Sequence, residues 1–231
     1  MSPAETPLTN PVRPRDLETR LHCAVRDWRS GMFILALAIL LQCAGHLNGD
    51  TAWFMTFAEN YLAGSTPYVD VSDPNPPFAF LAYAPAIGAA RLLGIKPEFA
   101  VALMTFAGSG AALFVCGRIL RQAEYLDPNE LVPLWLAALY VLLFVPAFCF
   151  AEREHLALLA LLPFLAASMV RAKRRDLTPS SIMAAGLGAE ICCLFKPYFL
   201  VPVAMAVVFA AWRRRNLRLL RTPELLIAAG V

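Results

Sequence analysis

Apolar runs recur along this chain at close to the length a bilayer demands. Residues 31–47, 99–117, 131–150, 155–170, 182–195 and 198–212 are predominantly apolar, and one more run starts at 224. Crossing the hydrocarbon takes about 20 such residues, or roughly 17–25 with tilt. Of the 231 residues, 59% are hydrophobic, against the ~45–50% of a soluble domain. The expected fold is therefore all-α: a polytopic membrane helical bundle of about six to seven spans. Residues 1–30 precede it and read as a cytoplasmic tail. Pro3, Pro7, Pro11 and Pro14 punctuate residues 1–16, and residues 17–30, with Arg20, Arg26, Arg29 and Trp28, suit a basic interfacial helix. The first apolar run begins only at Gly31, so no cleavable signal peptide is expected. The transmembrane domain is assigned to residues 31–231.

One apolar segment resists assignment. Residues 77–94 open on Pro77 directly after Pro76, contain Pro85, and carry Arg91. Lys and Arg concentrate in cytoplasmic loops, and that rule separates the alternatives. With a cytoplasmic N-terminus and no crossing at 77–94, the inner side holds the five Arg of the tail, Arg118, Arg121, and the clusters at 171–175 and 213–221. These are 16 of the 20 basic residues, leaving Arg91, Lys96, Arg153 and Lys196 outside. If 77–94 crosses, every later loop flips and the inner count drops to 9 of 20. The segment is therefore expected to lie on the outer face as a juxtamembrane or re-entrant helix. Residues 48–98 then form one large first external loop with two surface helices, about 51–63 and 77–93. An ordinary Pro-kinked crossing is the competing assignment.

That loop is chemically distinctive. Between residues 48 and 77 it carries Asp50, Glu59, Asp70 and Asp73, the aromatics Trp53, Phe54, Phe57, Tyr61 and Tyr68, and no Lys or Arg. Asp50, at the mouth of the first span, suits a general base that takes a proton from an acceptor hydroxyl, and equally an N-cap for a helix starting at Thr51. Glu59 falls two and a half turns later and faces elsewhere. Tyr68, Asp70 and Asp73 lie in a turn-rich stretch, where they either hold the loop together or hydrogen-bond a sugar.

Two further external turns are expected beside it. Glu152, Arg153, Glu154 and His155 put four ionisable groups between apolar runs, where charge is expensive and marks function by default. Arg153 suits a phosphate, Glu154 a substrate or acceptor; a salt-bridged helix cap is the plain alternative. Lys196, between Phe195 and Pro197, either snorkels to headgroups or binds an anionic lipid head. Glu190 lies within a span with no partner nameable from sequence. The six cysteines, five of them in apolar runs, read as small buried hydrophobes and not as a disulfide framework. No metal-ligand spacing, dinucleotide fingerprint, Walker loop or nucleophile elbow is present. Thus no cofactor is assigned, although a divalent metal stays open, and the basic clusters follow topology without any need for nucleic acid.

The order of these features carries a resemblance. A first span ends at Asp50, an amphipathic helix follows, then Gly64-x-x-Pro67-Tyr68-x-Asp70 and Pro76-Pro77 lead into a second surface helix, with an acidic second external turn beyond. Over roughly residues 31–200 this resembles the N-terminal half of a GT-C glycosyltransferase, the class of the protein O-mannosyltransferases and lipid A aminoarabinose transferases. The resemblance implies transfer of a sugar from a polyprenyl-phosphate donor to a lipid, glycan or protein acceptor at the outer face of a bacterial inner membrane. It matches Asp50 to the first-loop acid, with Glu152 or Glu154 as the acid of the second loop. Catalytic roles are thereby expected for Asp50 and Glu154, and substrate contacts for Tyr68, Asp70, Glu152, Arg153, His155 and Lys196. Glu stands in the second turn where Asp is more usual. Members of the class are about twice as long, so the chain reads as a truncation. A transporter or flippase, or a non-catalytic membrane protein, is the alternative.

Overall fold

A computed structural model describes residues 28–42, 48–125 and 128–230. Every regular element among them is helical; the sole β feature is an isolated bridge between Pro67 and Val71. The helices are α1 (Trp28–Gln42), α2 (Gly49–Leu62), α3 (Phe78–Leu81), α4 (Ala84–Leu93), α5 (Pro97–Gln122), α6 (Pro128–Leu143), α7 (Arg153–Ala172), α8 (Pro179–Phe195), α9 (Leu200–Arg214) and α10 (Pro223–Ala228). Residues 28–30, placed by sequence in the interfacial helix, belong to α1. Residues 17–27 and the end of the first span, with His46, lie outside the described residues.

The breaks follow local chemistry. Thr178 caps α8 by accepting the Ser181 N–H, and Pro179 takes the first helical position, where its missing donor costs nothing. At the other end Pro197 excludes its predecessor from the helical region. Lys196 is accordingly extended (φ −157°, ψ 135°) and α8 stops at Phe195. Gly94 closes α4 in the left-handed conformation (φ 65°) that glycine adopts freely.

Two helices, α5 and α7, are long and apolar enough to cross a membrane. Four other apolar stretches, Trp28–Gln42, Phe78–Leu93, Val132–Leu143 and Pro179–Phe195, are shorter. The expected boundaries need three corrections. The run 131–150 stops being α-helical at Leu143, because Pro146 has no N–H to donate and Ala147 turns left-handed (φ 41°). The surface helix expected over 77–93 is divided into α3 and α4 around Ala82 and Tyr83; at 10 residues, α4 is only ~15 Å long. The run from 224 yields the six residues of α10.

Two apolar cores organise the helices. In the first, α2 packs on α3 and α4 beneath the start of α5. Phe57 stacks on Phe80 with centroids 4.1 Å apart, and Arg91 donates to the Glu59 carbonyl at 2.9 Å. Tyr83, fully buried, ties this core to the α7 entry by donating to the Ala151 carbonyl at 2.8 Å. The second core joins α7, α8 and α9. Gly188 allows the closest approach: a Cβ there would run into the Ala160 carbonyl of α7. Small residues at such crossings are what let membrane helices approach, since lipid supplies no hydrophobic drive between them. Large apolar side chains stand exposed along α9, at Val201, Met205, Val208, Phe209 and Trp212. They recur at helical spacing and form one continuous stripe.

α7 is bracketed by charge. Arg153 begins it, and Arg171 near its end pairs with the buried Glu224 of α10 at 3.1 Å. Eighteen residues at 1.5 Å each separate the two arginines by ~27 Å, close to the ~30 Å of a bilayer's hydrocarbon.

Candidate functional site

The residues flanking the α7 N-terminus come from three distant segments. Asn48 caps α2, accepting the Asp50 N–H at 2.9 Å, so the cap is Asn48 and not Asp50 as the sequence suggested. That leaves the Asp50 side chain unspent in the first turn, 60% exposed. The second segment is the loop 64–77. The third is Lys196, in the extended backbone that precedes Pro197.

Arg153 joins them. It is buried, with its guanidinium 4.6 Å over the Phe54 ring. It donates from Nη1 to Asn75 Oδ1 at 2.6 Å, from Nη2 to Asp50 Oδ2 at 3.2 Å, and from Nε to Glu154 Oε1 at 3.3 Å. Glu154 Oε1 in turn accepts from Lys196 Nζ at 2.7 Å and from the Tyr198 hydroxyl at 3.4 Å. Asp50, Arg153, Glu154 and Lys196 thus form a neutral alternating chain of charge. Donor capacity remains in it. A guanidinium offers five N–H bonds and an ammonium three, and the bonds above use three and one respectively. Among the described residues Asp50 Oδ1 has no partner.

Burial disfavours the Lys196 ammonium, but its bonds with Glu154 and Tyr198 outweigh that and raise its pKa. Asp73 shows the opposite balance. Burial pushes its carboxyl up, while the Asn75 N–H and the Trp53 indole, each 2.7 Å away, hold it below the ordinary range.

The other expected ligands have different employment. The Tyr68 hydroxyl donates to the Asn75 carbonyl at 2.7 Å, and Asp70 Oδ2 accepts the Thr66 N–H at 2.7 Å, so both brace the loop that presents Asn75. Tyr68 sits in the left-handed region (φ 65°) and bonds across the turn to Val71. Glu152 is the extended N-cap residue of α7. His155 is buried beneath the cluster: its Nδ1 accepts the Ala151 N–H at 3.3 Å and its ring lies against Phe150. That placement buries the imidazole beneath the surface on which Asp50 is exposed. Asn75, Trp53, Phe54 and Tyr198 were not foreseen. Asn75 sits between two prolines, and such a position reads as a plain turn.

Glu190 is half-buried on α8 with no partner among the described residues. The same residues contain no group of three or more His, Cys, Asp or Glu placed to hold a metal ion. Comparison with protein-family models, curated proteins and solved structures gives no match.

Proposed function

We propose that the chain is an integral membrane glycosyltransferase of GT-C type, with six to seven crossings, a cytoplasmic N-terminus and its site on the outer face of a bacterial inner membrane. The observation that carries this reading is the Asp50–Arg153–Glu154–Lys196 chain. It sets an exposed carboxylate beside two cations with unused donors, at the end of an apolar bundle where few other basic residues lie.

In this reaction Asp50 takes the proton of an acceptor hydroxyl, whose oxygen attacks the anomeric carbon of a polyprenyl-phosphate sugar. The bond from that carbon to the phosphate oxygen breaks, and the lipid phosphate leaves with the electron pair. Arg153 and Lys196 stabilise the phosphate as its charge grows. Attack opposite the leaving group inverts the anomeric centre. Glu154 positions both cations, and Asn75 fixes the Arg153 fork. The test is sugar transfer from a polyprenyl-phosphate donor in membranes, wild type against Asp50→Asn; equal transfer by the two would overturn the assignment. The unpaired Glu190 favours a transporter as the second reading, and solute uptake into vesicles without sugar transfer would select it.

A further inference from the structure

At the end of the bundle opposite Asp50, an apolar groove of about 710 Å³ lies between α1, α5 and α6. Its volume falls within the ~300–1,000 Å³ of ligand sites. Trp28, Leu35, Leu113, Trp135 and Leu139 line it, and among the described residues Arg121 is the one charged group on its wall. Gly110 opens it on the α5 side, since a Cβ added there meets nothing within 4 Å. Trp135 is a fixed wall: its ring sits so near Gly117 that a Cβ at that glycine would come within 2.5 Å of it.

Arg121 spends only Nε, donating to the Gly117 carbonyl at 3.2 Å. Both terminal nitrogens of its fork have no partner among the described residues. Neighbouring cations at this end are engaged, Arg118 with Ser180, Arg171 with Glu224 and Arg175 with Glu124. Arg121 is therefore the guanidinium with an open fork beside an open apolar groove, and a guanidinium fork matches phosphate oxygens.

We infer that this groove holds an acyl chain of an anionic phospholipid, with the lipid phosphate on Arg121. The inference rests on the membrane reading above, because a groove open to bilayer fills with lipid chains and charge then selects the headgroup. It is separate from the proposed donor site, which lies at the far end of α5 and α7.

The chain has four tryptophans, so replacing Trp53 and Trp212 with Phe leaves Trp28 and Trp135 as reporters inside the groove. The full-length protein is reconstituted into vesicles containing bromine-labelled phosphatidylglycerol or phosphatidylcholine, and association is checked by flotation. Phosphatidylglycerol should quench at about one fifth of the mole fraction that phosphatidylcholine requires, the selectivity of one basic group at a membrane surface. Arg121→Gln should abolish that difference, and Gly110→Leu, which adds a side chain on the groove wall where a Cβ meets open space, should abolish it too. Equal quenching by both lipids in protein that floats overturns the groove assignment alone, as does a preference that survives both substitutions. Protein that does not float overturns the membrane reading together with it.

Discussion

Arg153 reaches across 103 positions of sequence to Asp50, closing a 3.2 Å ion pair between the first turn of α2 and the first residue of α7. The two differ sharply in surroundings. Side-chain exposure is 10% for Arg153 and 60% for Asp50, so one partner is structural and the other is presented. Their substitutions should separate accordingly.

Asp50→Asn keeps the shape and the Asn48 cap but removes the proposed base. Sugar transfer should fall by ~10²–10⁴, the usual weight of general-base catalysis. Thermal stability in detergent should change by only about 1 kcal/mol, because the Asp50 partner is solvated and the buried guanidinium keeps its bonds to Asn75 and Glu154.

Arg153→Met should do the reverse to stability. Removing a buried guanidinium strands Asn75 Oδ1 and takes one of three donors from Glu154 Oε1, and breaking a fully buried pair costs ~3–5 kcal/mol. Because Asp50 and Glu154 are 60% and 39% exposed, water recovers part of that, and a loss of ~1–3 kcal/mol is expected. Arg153→Lys should not restore the wild-type value, since an ammonium cannot reproduce the three-way fork. Denaturant titration of the detergent-solubilised protein measures both.

Asp73 should make the 64–77 loop acid-sensitive. Its pKa is held below the model-compound value of 3.8, so the stabilisation is complete above that value. It is lost as pH falls through the lower folded-state value. Emission from Trp53, whose indole bonds Asp73, should shift as pH is lowered from 5 towards 2 in a background lacking the other tryptophans. In Asp73→Asn the profile should be flat.

Gly188→Ala should destabilise by ~1–3 kcal/mol, the range for overpacking a filled interface, because the new methyl meets the Ala160 carbonyl. Gly49→Ala, where a Cβ meets nothing within 4 Å, should stay within ~0.5 kcal/mol. The pair of melting curves isolates packing from helix propensity.

Topology can be read by labelling Leu92→Cys and Leu217→Cys, at positions 89% and 77% exposed, in a Cys149→Ser background. Impermeant reagent applied outside intact cells should label position 92 and spare 217. Labelling of 217 alone would place the 77–94 segment across the bilayer.

Helix positions were legible because their causes are local. Continuous apolar runs mark α5, α7, α8 and α9, and the Pro at 97, 179 and 197 set where they begin or end. Charge counting grouped Asp50, Arg153 and Lys196 at one end, since the bias of Lys and Arg towards one set of loops constrains the chain's topology without reference to any contact. Bond partners were not legible. Whether Glu154 meets Lys196, or Tyr68 turns inward to Asn75, depends on how Lys196 is held extended and on a left-handed residue in a loop, which leave no periodic trace. Asn75 was missed for the same reason, and Asn48 displaced Asp50 as cap through a shift of two residues at a helix start.

If α7 crosses a bilayer as proposed, the two arginines that bracket it constrain the thickness of that bilayer. Each is anchored to a neighbouring element, Arg153 to α2 and the loop, Arg171 to α10, so the helix cannot slide along its axis to suit its surroundings. A bilayer much thicker than the ~27 Å between them would have to thin around the protein or draw the anchored charges into hydrocarbon. Enrichment of the chain in thin membranes and its exclusion from thick ones would follow from that fixed span alone.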